Sequence, residues 1–320
     1  MLIFRTAIAV AMISTTFAYS IDAAATTYAE QEFTCPIGGE KFKSMVVGSN
    51  STFGQRPDGR PYSPLPVYPL VECPGNGFLI FDDGLSKAEL KTLKAAIATP
   101  EYVAMRENDT PYARLAWLKR KIGRGQGEIV DALLVASWET DDNPARKAQY
   151  QADFIDAADA LDEQMDVRMR LLYAIRAANA ARELSRFADA RQQLDRVQPQ
   201  VGELKQERER RFALEYIAGQ RMLVAEGNTQ SEPLNLLPPM VAAHYCKEKS
   251  RELSLVELAR CSDDEVKELL AEYAEDEADE AEYEMSAEAI IGENAVESAA
   301  EAMAEAAEDA AEATEEKFDD

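Results

Sequence analysis

Two cysteine-proline turns set the limits on how this chain can fold. The first is Cys35-Pro36-Ile37-Gly38-Gly39, followed closely by Phe42; the second is Cys73-Pro74-Gly75-Asn76-Gly77, running into Phe78. Between them residues 44–70 hold Gly48, Gly54, Gly59, Pro57, Pro61, Pro64, Pro66 and Pro69. That density of turn residues excludes a helix and leaves room only for short strands and polyproline-like stretches. Short β segments are expected at residues 41–47 and 70–72, with the apolar run 78–81 as a partner for one of them. Phe42, Phe53, Tyr62, Tyr68 and Phe81 are expected to form a small core, which at this size needs a cross-link to hold it.

Beyond Asp82-Asp83-Gly84 the pattern becomes helical. Ser86 and Glu89 form a capping box that opens a helix to about residue 98. Further helices are expected at 112–121, 128–139, 145–163, 165–184, 187–197 and 203–226, with Pro144 at the first position of one of them. In the pair covering 170–199, Ala177, Ala178 and Ala181 allow close helix approach. Phe187, Ala190, Leu194 and Val197 then line one face at helical spacing. Gly123 to Gly127 joins helix to helix and lacks a following Gly-Lys-Ser/Thr, so it reads as an interhelical turn and not a phosphate loop. Pro238-Pro239 starts another helix, carrying His244 and Cys246. Capping boxes at Ser254/Glu257 and Ser262/Glu265 start two more.

The two arms look like the knuckles of a zinc ribbon in which each Cys-x-x-Cys has lost its second cysteine, with Gly38 and Asn76 at the vacated positions. With the helical array behind them, roughly residues 33–200 resemble the bacterial domain-of-unknown-function family 2225, a double Cys-Pro-x-Cys-Gly module followed by tetratricopeptide-like helices. Of the metal-ligand positions the resemblance implies, only Cys35 and Cys73 match, so an emptied site is expected. The implied fold is mainly α: antiparallel helical hairpins, as a tetratricopeptide-like solenoid or a bundle, behind a small N-terminal β-ribbon module. The family implies no reaction.

Residues 1–25 set the expected compartment. Arg5 is followed by the uncharged run 7–18 and then by small residues that offer cleavage after Ser20 or within Ala23-Ala24-Ala25. The apolar run is shorter than the roughly 18 residues of a membrane span, so the chain is expected to be periplasmic or secreted, without stable membrane insertion after cleavage. In an oxidising compartment four cysteines are expected to be bridged. Of three pairings, the knuckle likeness favours Cys35 with Cys73, because ligands of one metal ion lie within disulfide reach. Cys246 and Cys261 are then the second pair, near facing ends of a helical hairpin.

The net charge of −25 is concentrated at one end. Residues 271–320 carry 20 acidic side chains and one Lys, a net of −19, which leaves −6 on the rest. No basic patch suited to a phosphate backbone is visible, so nucleic acid is not an expected partner. The Ala/Glu-rich tail is expected to be a frayed helix or disordered. Arg168, Arg176, Arg182 and Arg186 are the candidates for a basic groove that would take an acidic peptide. The reading preferred for them is solvated helix faces, with i,i+4 partners such as Asp189 and Asp195.

His244 is the single histidine, and neither Gly-x-Ser-x-Gly nor His-Glu-x-x-His occurs. No catalytic residue, cofactor or metal is assigned. The expected organisation is a signal peptide at 1–25, a knuckle module at 33–84, a helical domain at 85–270 and an acidic tail at 271–320. The expected function is an exported, non-enzymatic scaffold for an unknown protein or peptide. The alternative is a metal-binding module in which Cys35 and Cys73 recruit ligands from elsewhere, for instance Asp82 or Asp83.

Overall fold

Each cysteine-proline turn closes an antiparallel strand pair. The computed structural model describes residues 26–248, 255–276 and 278–279. Strands β1 (Thr27–Thr34) and β2 (Lys41–Ser49) pair from Thr34↔Lys41 to Thr27↔Ser49, with an irregularity at Thr27/Tyr28. Phe33 stacks on Phe42 across the ribbon at 5.8 Å, and Lys43 pairs with Glu30 at 2.6 Å. Strands β3 (Val71–Glu72) and β4 (Leu79–Ile80) form the second, shorter pair.

The two turns repeat one hydrogen-bond pattern. Cys35 N donates to Glu40 O at 2.8 Å and Gly39 N to Cys35 O at 3.1 Å; Cys73 N donates to Phe78 O at 2.8 Å and Gly77 N to Cys73 O at 2.9 Å. Residue by residue, Gly38 thus matches Asn76, and Gly39 matches Gly77, both with positive φ. Cys35 and Cys73 are joined by a disulfide, Cα to Cα 5.7 Å, and both are buried. Asn76 fills the remaining corner: its Nδ2 donates to Ile37 O at 2.5 Å and its Oδ1 accepts from Phe78 N at 2.9 Å. Gly75 N donates to Glu40 Oε2 at 3.0 Å, a further tie between the turns.

The helices follow as antiparallel hairpins, sequence neighbours packed on one another: α1 (Lys87–Ile97), α2 (Pro100–Asn108), α3 (Pro111–Lys121), α4 (Gln126–Trp138), α5 (Pro144–Asp159), α6 (Val167–Glu183), α7 (Phe187–Val197) and α8 (Glu207–Glu226). Local chemistry starts them. Ser86 and Glu89 make the expected capping box on α1, and Asn143 and Asp166 cap α5 and α6. A left-handed Gly227 ends α8. Helix α2 was not singled out by periodicity, because Tyr102 is its one buried residue; its signal is Thr99 capping a first-turn Pro100.

The main core runs from Cys35, Cys73, Phe78 and Leu79 through Leu93, Leu118 and Phe154 to Leu194 and Ile217, beside a smaller cluster of Ala113, Ala136 and Tyr150. The aromatic core expected inside the knuckle module does not form as a unit. Phe53 and Tyr68 are exposed, while Phe42 and Phe81 pack against the core shared with the helices. The physical reason is size: so short a ribbon buries too little area alone and leans on α1 to α3 instead. Tyr102 shows this directly, its hydroxyl donating to Gly77 O at 2.7 Å.

Compact units divide at Ser231/Glu232. In the second, a 3-10 turn at Leu234–Leu236 precedes α9 (Pro239–Lys247) and α10 (Leu255–Cys261), joined by the Cys246–Cys261 disulfide, Cα to Cα 5.7 Å. Residues 264–276 are helical. Ser262 does not open that helix as expected. Its hydroxyl donates back to Leu258 O at 2.9 Å and so closes the one before. Residues 1–25, expected as a signal peptide, Ser254 and nearly all of the acidic tail lie outside the described residues. Among the described residues no helix is long and apolar enough to cross a membrane.

Candidate functional site

The sequence Gln55-Arg56-Pro57-Asp58-Gly59-Arg60 folds as a tight hairpin tip. Pro57 follows the first turn residue, and Gly59 N donates to Arg56 O at 2.8 Å, as a β-turn over Arg56–Gly59 requires. Gly59 has φ +88°, and Arg56 N donates to Arg60 O at 2.8 Å beyond it. A bridge at Gln55↔Pro61 and bonds between Phe53 and Tyr62 continue the pairing. Hairpin tips made of such residues normally face water. Here the burial is reversed: Arg56 to Gly59 are buried, while Phe53, Gly54 and Gln55 at the base are exposed.

The tip is received by polar side chains from the helices. Arg56 grips Asp58 in its own turn, Nε to Oδ1 at 3.2 Å and Nη2 to Oδ2 at 2.5 Å, and reaches Asp141 after α4, Nη1 to Oδ2 at 2.7 Å. Asp141 also takes Arg60 at 3.3 Å and Lys147 of α5 at 2.8 Å. Tyr216 of α8 donates its hydroxyl to Pro57 O. Arg176 of α6 lies against Gly59 so closely that a Cβ there would sit 2.3 Å from the guanidinium carbon, and its Nη2 reaches Gln55 Oε1 at 3.4 Å.

Behind this layer lies a second one with its own bonds. Arg182, fully buried, donates to Asn179 Oδ1 at 2.8 Å, Asn228 O at 2.8 Å and Gln220 Oε1 at 3.2 Å. Gln220 donates on to Asn179 at 2.8 Å and to Tyr216 at 3.1 Å. Glu183 accepts from Gln151 and from Asn179, each at 2.7 Å. The spacing of Asn179 and Glu183 on α6, and of Tyr216 and Gln220 on α8, puts each pair on one helix face.

The electrostatics follow from burial and pairing. Burial alone would lower the Arg56 pKa, but Asp58 and Asp141 outweigh it and hold the guanidinium charged. Burial would raise Asp141, yet bonds from Arg56 and Lys147 win and depress it. Glu183 is raised, by burial first and then by Asp58. Burial likewise raises Tyr216, which keeps it a donor. Because the native pKa of Asp141 lies below its unfolded value, its contribution is present above about pH 4 and is lost as pH falls through the native value. We expect Asp141→Asn to cost about 1–2 kcal/mol at neutral pH, since the site is partly exposed. Urea titrations should also show a shallower loss of stability as pH falls below about 4 than in the wild type.

The arginines predicted as one groove are dispersed. Arg176 and Arg182 meet in this seam, but Arg182 is sealed inside it. Arg168 is exposed and pairs with Glu209 at 3.0 Å, and Arg186 is exposed at the start of α7. Asp195, expected as an i,i+4 partner within its own helix, pairs instead with Arg221 of α8 at 2.6 Å, and Arg196 pairs with Asp159 of α5. Antiparallel packing brings carboxylates across helices closer than the next turn does.

Cys35, Cys73, Cys246 and Cys261 are all cross-linked as expected. Asp82 is engaged by Arg124 and Gly84 N, and His244 by Glu248 at 3.4 Å. Among the described residues no group of three or more His, Cys, Asp or Glu could hold a metal ion.

Sequence reading missed Arg56, Asp58, Asp141, Lys147 and Tyr216. The usable signal was Arg-Pro-Asp-Gly, a turn carrying its own ion pair. The arrangement as a whole offers forks, carboxylates and one hydroxyl, the chemistry of recognising a turn. No family model, curated protein or solved structure matches the chain.

Proposed function

We propose that this chain is an exported, non-enzymatic interaction protein, a cross-linked helical scaffold that holds a segment of another protein in the polar seam between α4, α5, α6 and α8. One observation carries the reading: the helices already grip a peptide turn through side chains alone, with its tip buried and its base in water. Helical-hairpin arrays bind extended and turn segments by this kind of contact. Two disulfides and the leader-like residues 1–25 support periplasmic or secreted placement. The resemblance to family 2225 supports the same scaffold reading, with the metal replaced by a covalent cross-link.

The test is site-specific photo-crosslinking in the native cell, with the photoreactive residue at Phe53, beside the seam, or at Lys91, exposed on α1. A discrete protein adduct from position 53 and none from position 91 is the expected result. Equal labelling from both, or none, overturns the reading. Non-reducing peptide mapping of the periplasmic fraction should recover both cross-links; a full-length, reduced cytosolic chain would overturn the export half.

A further inference from the structure

The hairpin tip has the physical character of a ligand. A wedge that only fills space needs no charges, because replacing a buried ion pair by hydrophobic residues of similar volume is often neutral or stabilising. This one is Arg-Pro-Asp-Gly. Its backbone–backbone bonds are internal, between Phe53 and Tyr62, Arg56 and Arg60, and Arg56 and Gly59, and survive if the tip withdraws as a unit, whereas the Pro57 carbonyl gives up its Tyr216 donor. Two of the receiving side chains, Tyr216 and Asp141, are also held without it. Tyr216 is fixed by Gln220, Gln220 by Asn179 and Arg182, and Asp141 by Lys147. A site that keeps its geometry when emptied is one that can be refilled.

We propose that Arg56–Gly59 is a resident plug, and that the partner bound in trans is a protein turn of the same chemistry. This rests on the interaction reading above and specifies its ligand. Three contacts define the occupant. Asp141 takes the fork of an arginine at the first turn position, and the Tyr216 hydroxyl takes the carbonyl of the next residue. The fourth position has φ +88°, a conformation L side chains rarely adopt, and the Arg176 guanidinium lies directly against it; together these select glycine. A carboxylate at the third position orients the arginine from within the turn, as Asp58 does for Arg56. The plug and the partner compete, so the affinity seen by the partner is reduced by the fraction of molecules in which the seam is open.

The probe is a synthetic peptide of residues 52–63, joined end to end so that the turn persists. It is titrated by fluorescence anisotropy against the full chain and the full-chain variant Gly59→Val. That substitution puts a β-branched residue at φ +88° against Arg176 and expels the tip without deleting a polar group. We expect the variant to bind the peptide at least tenfold more tightly than the wild type. Adding Asp141→Asn, or changing the peptide arginine that copies Arg56 to alanine, should remove at least tenfold of that affinity. Equal affinity of wild type and variant, or indifference to Asp141→Asn, overturns the proposal.

If Gly59→Val does not fold, replacing residues 56–59 with Gly-Ser-Gly-Ser takes its place. Wild-type amide exchange gives an independent reading. Once the tip is out, the Arg56 and Gly59 amides are held only by a lone hairpin that is marginally stable in water, so they should exchange at least 100-fold faster than the buried Ala178 amide in α6, relative to their intrinsic rates. Exchange at the rate of Ala178 means that the tip opens only with the whole core, and sinks the plug. A crosslinked partner would survive that failure, and would then bind at the exposed rim of the seam beside the seated tip, where Phe53 lies.

Discussion

Replacing Arg182 with methionine is expected to destabilise the first compact unit by about 3–5 kcal/mol, the cost of breaking a buried charged network from one side. The guanidinium has no exposed surface and serves three acceptors on three segments: Asn179 in α6, Gln220 in α8 and the Asn228 carbonyl after it. Methionine matches much of the volume, so little cavity remains, but Gln220 Oε1 loses its donor in the buried seam and the part-buried Asn228 carbonyl loses one as well. Glu183, 3.8 Å away, loses a neighbouring cation as well. For a unit of this size the melting temperature should fall by roughly 8–15 °C. Arg186→Met, exposed four residues on, should change stability by no more than about 0.5 kcal/mol. Equal effects at the two positions in urea melts would show that the buried network contributes nothing.

Opening the first cross-link should have a comparable effect. The double substitution Cys35→Ser, Cys73→Ser removes a loop closure of 38 residues, worth about 4 kcal/mol on the chain-entropy account. It also places hydroxyls where sulfur is fully buried. The loss should be felt beyond the knuckles, because Phe78 and Leu79 belong to the core that α1 to α3 also build. Far-UV circular dichroism should report weakened helices on heating, as well as a released ribbon. The matching change at Cys246 and Cys261, with a 15-residue separation, should cost about 3 kcal/mol and act on the second unit alone. Unfolding of the helical array unchanged by Cys35→Ser, Cys73→Ser would mean that the ribbon is an independent appendage.

Much of the fold could be read from local chemistry. The Ser86/Glu89 box, the spacing of Ala190, Leu194 and Val197, and the paired cysteine-proline turns all act within a few residues, where sequence pattern and structure report the same forces. Strand β1 was not legible, because Thr27 to Thr34 is exposed nearly throughout and carries no apolar alternation to mark it. Its conformation comes from backbone pairing with β2. The seam was hidden for a different reason. Arg56 meets Asp141 across 85 residues and Tyr216 meets Pro57 across 159, and neither contact leaves a periodic trace. By composition alone Arg-Pro-Asp-Gly belongs in water, and only the partners that solvate it in place of water explain why it is inside.

The repeated hydrogen-bond pattern of the two cysteine-proline turns bears on the order in which the thiols can pair. Each turn closes within six residues and can hold its thiol in a fixed pose on the microsecond scale, long before slower sulfur chemistry begins. Both native bridges join cysteines consecutive in the chain, so as the polypeptide emerges the first pair is complete before the third thiol appears. Either mismatched pairing would have to wait for the whole helical array and close a much longer loop. Correct pairing is thereby written into the order of emergence, and a simple oxidant, without an isomerase to correct mistakes, is enough to complete it.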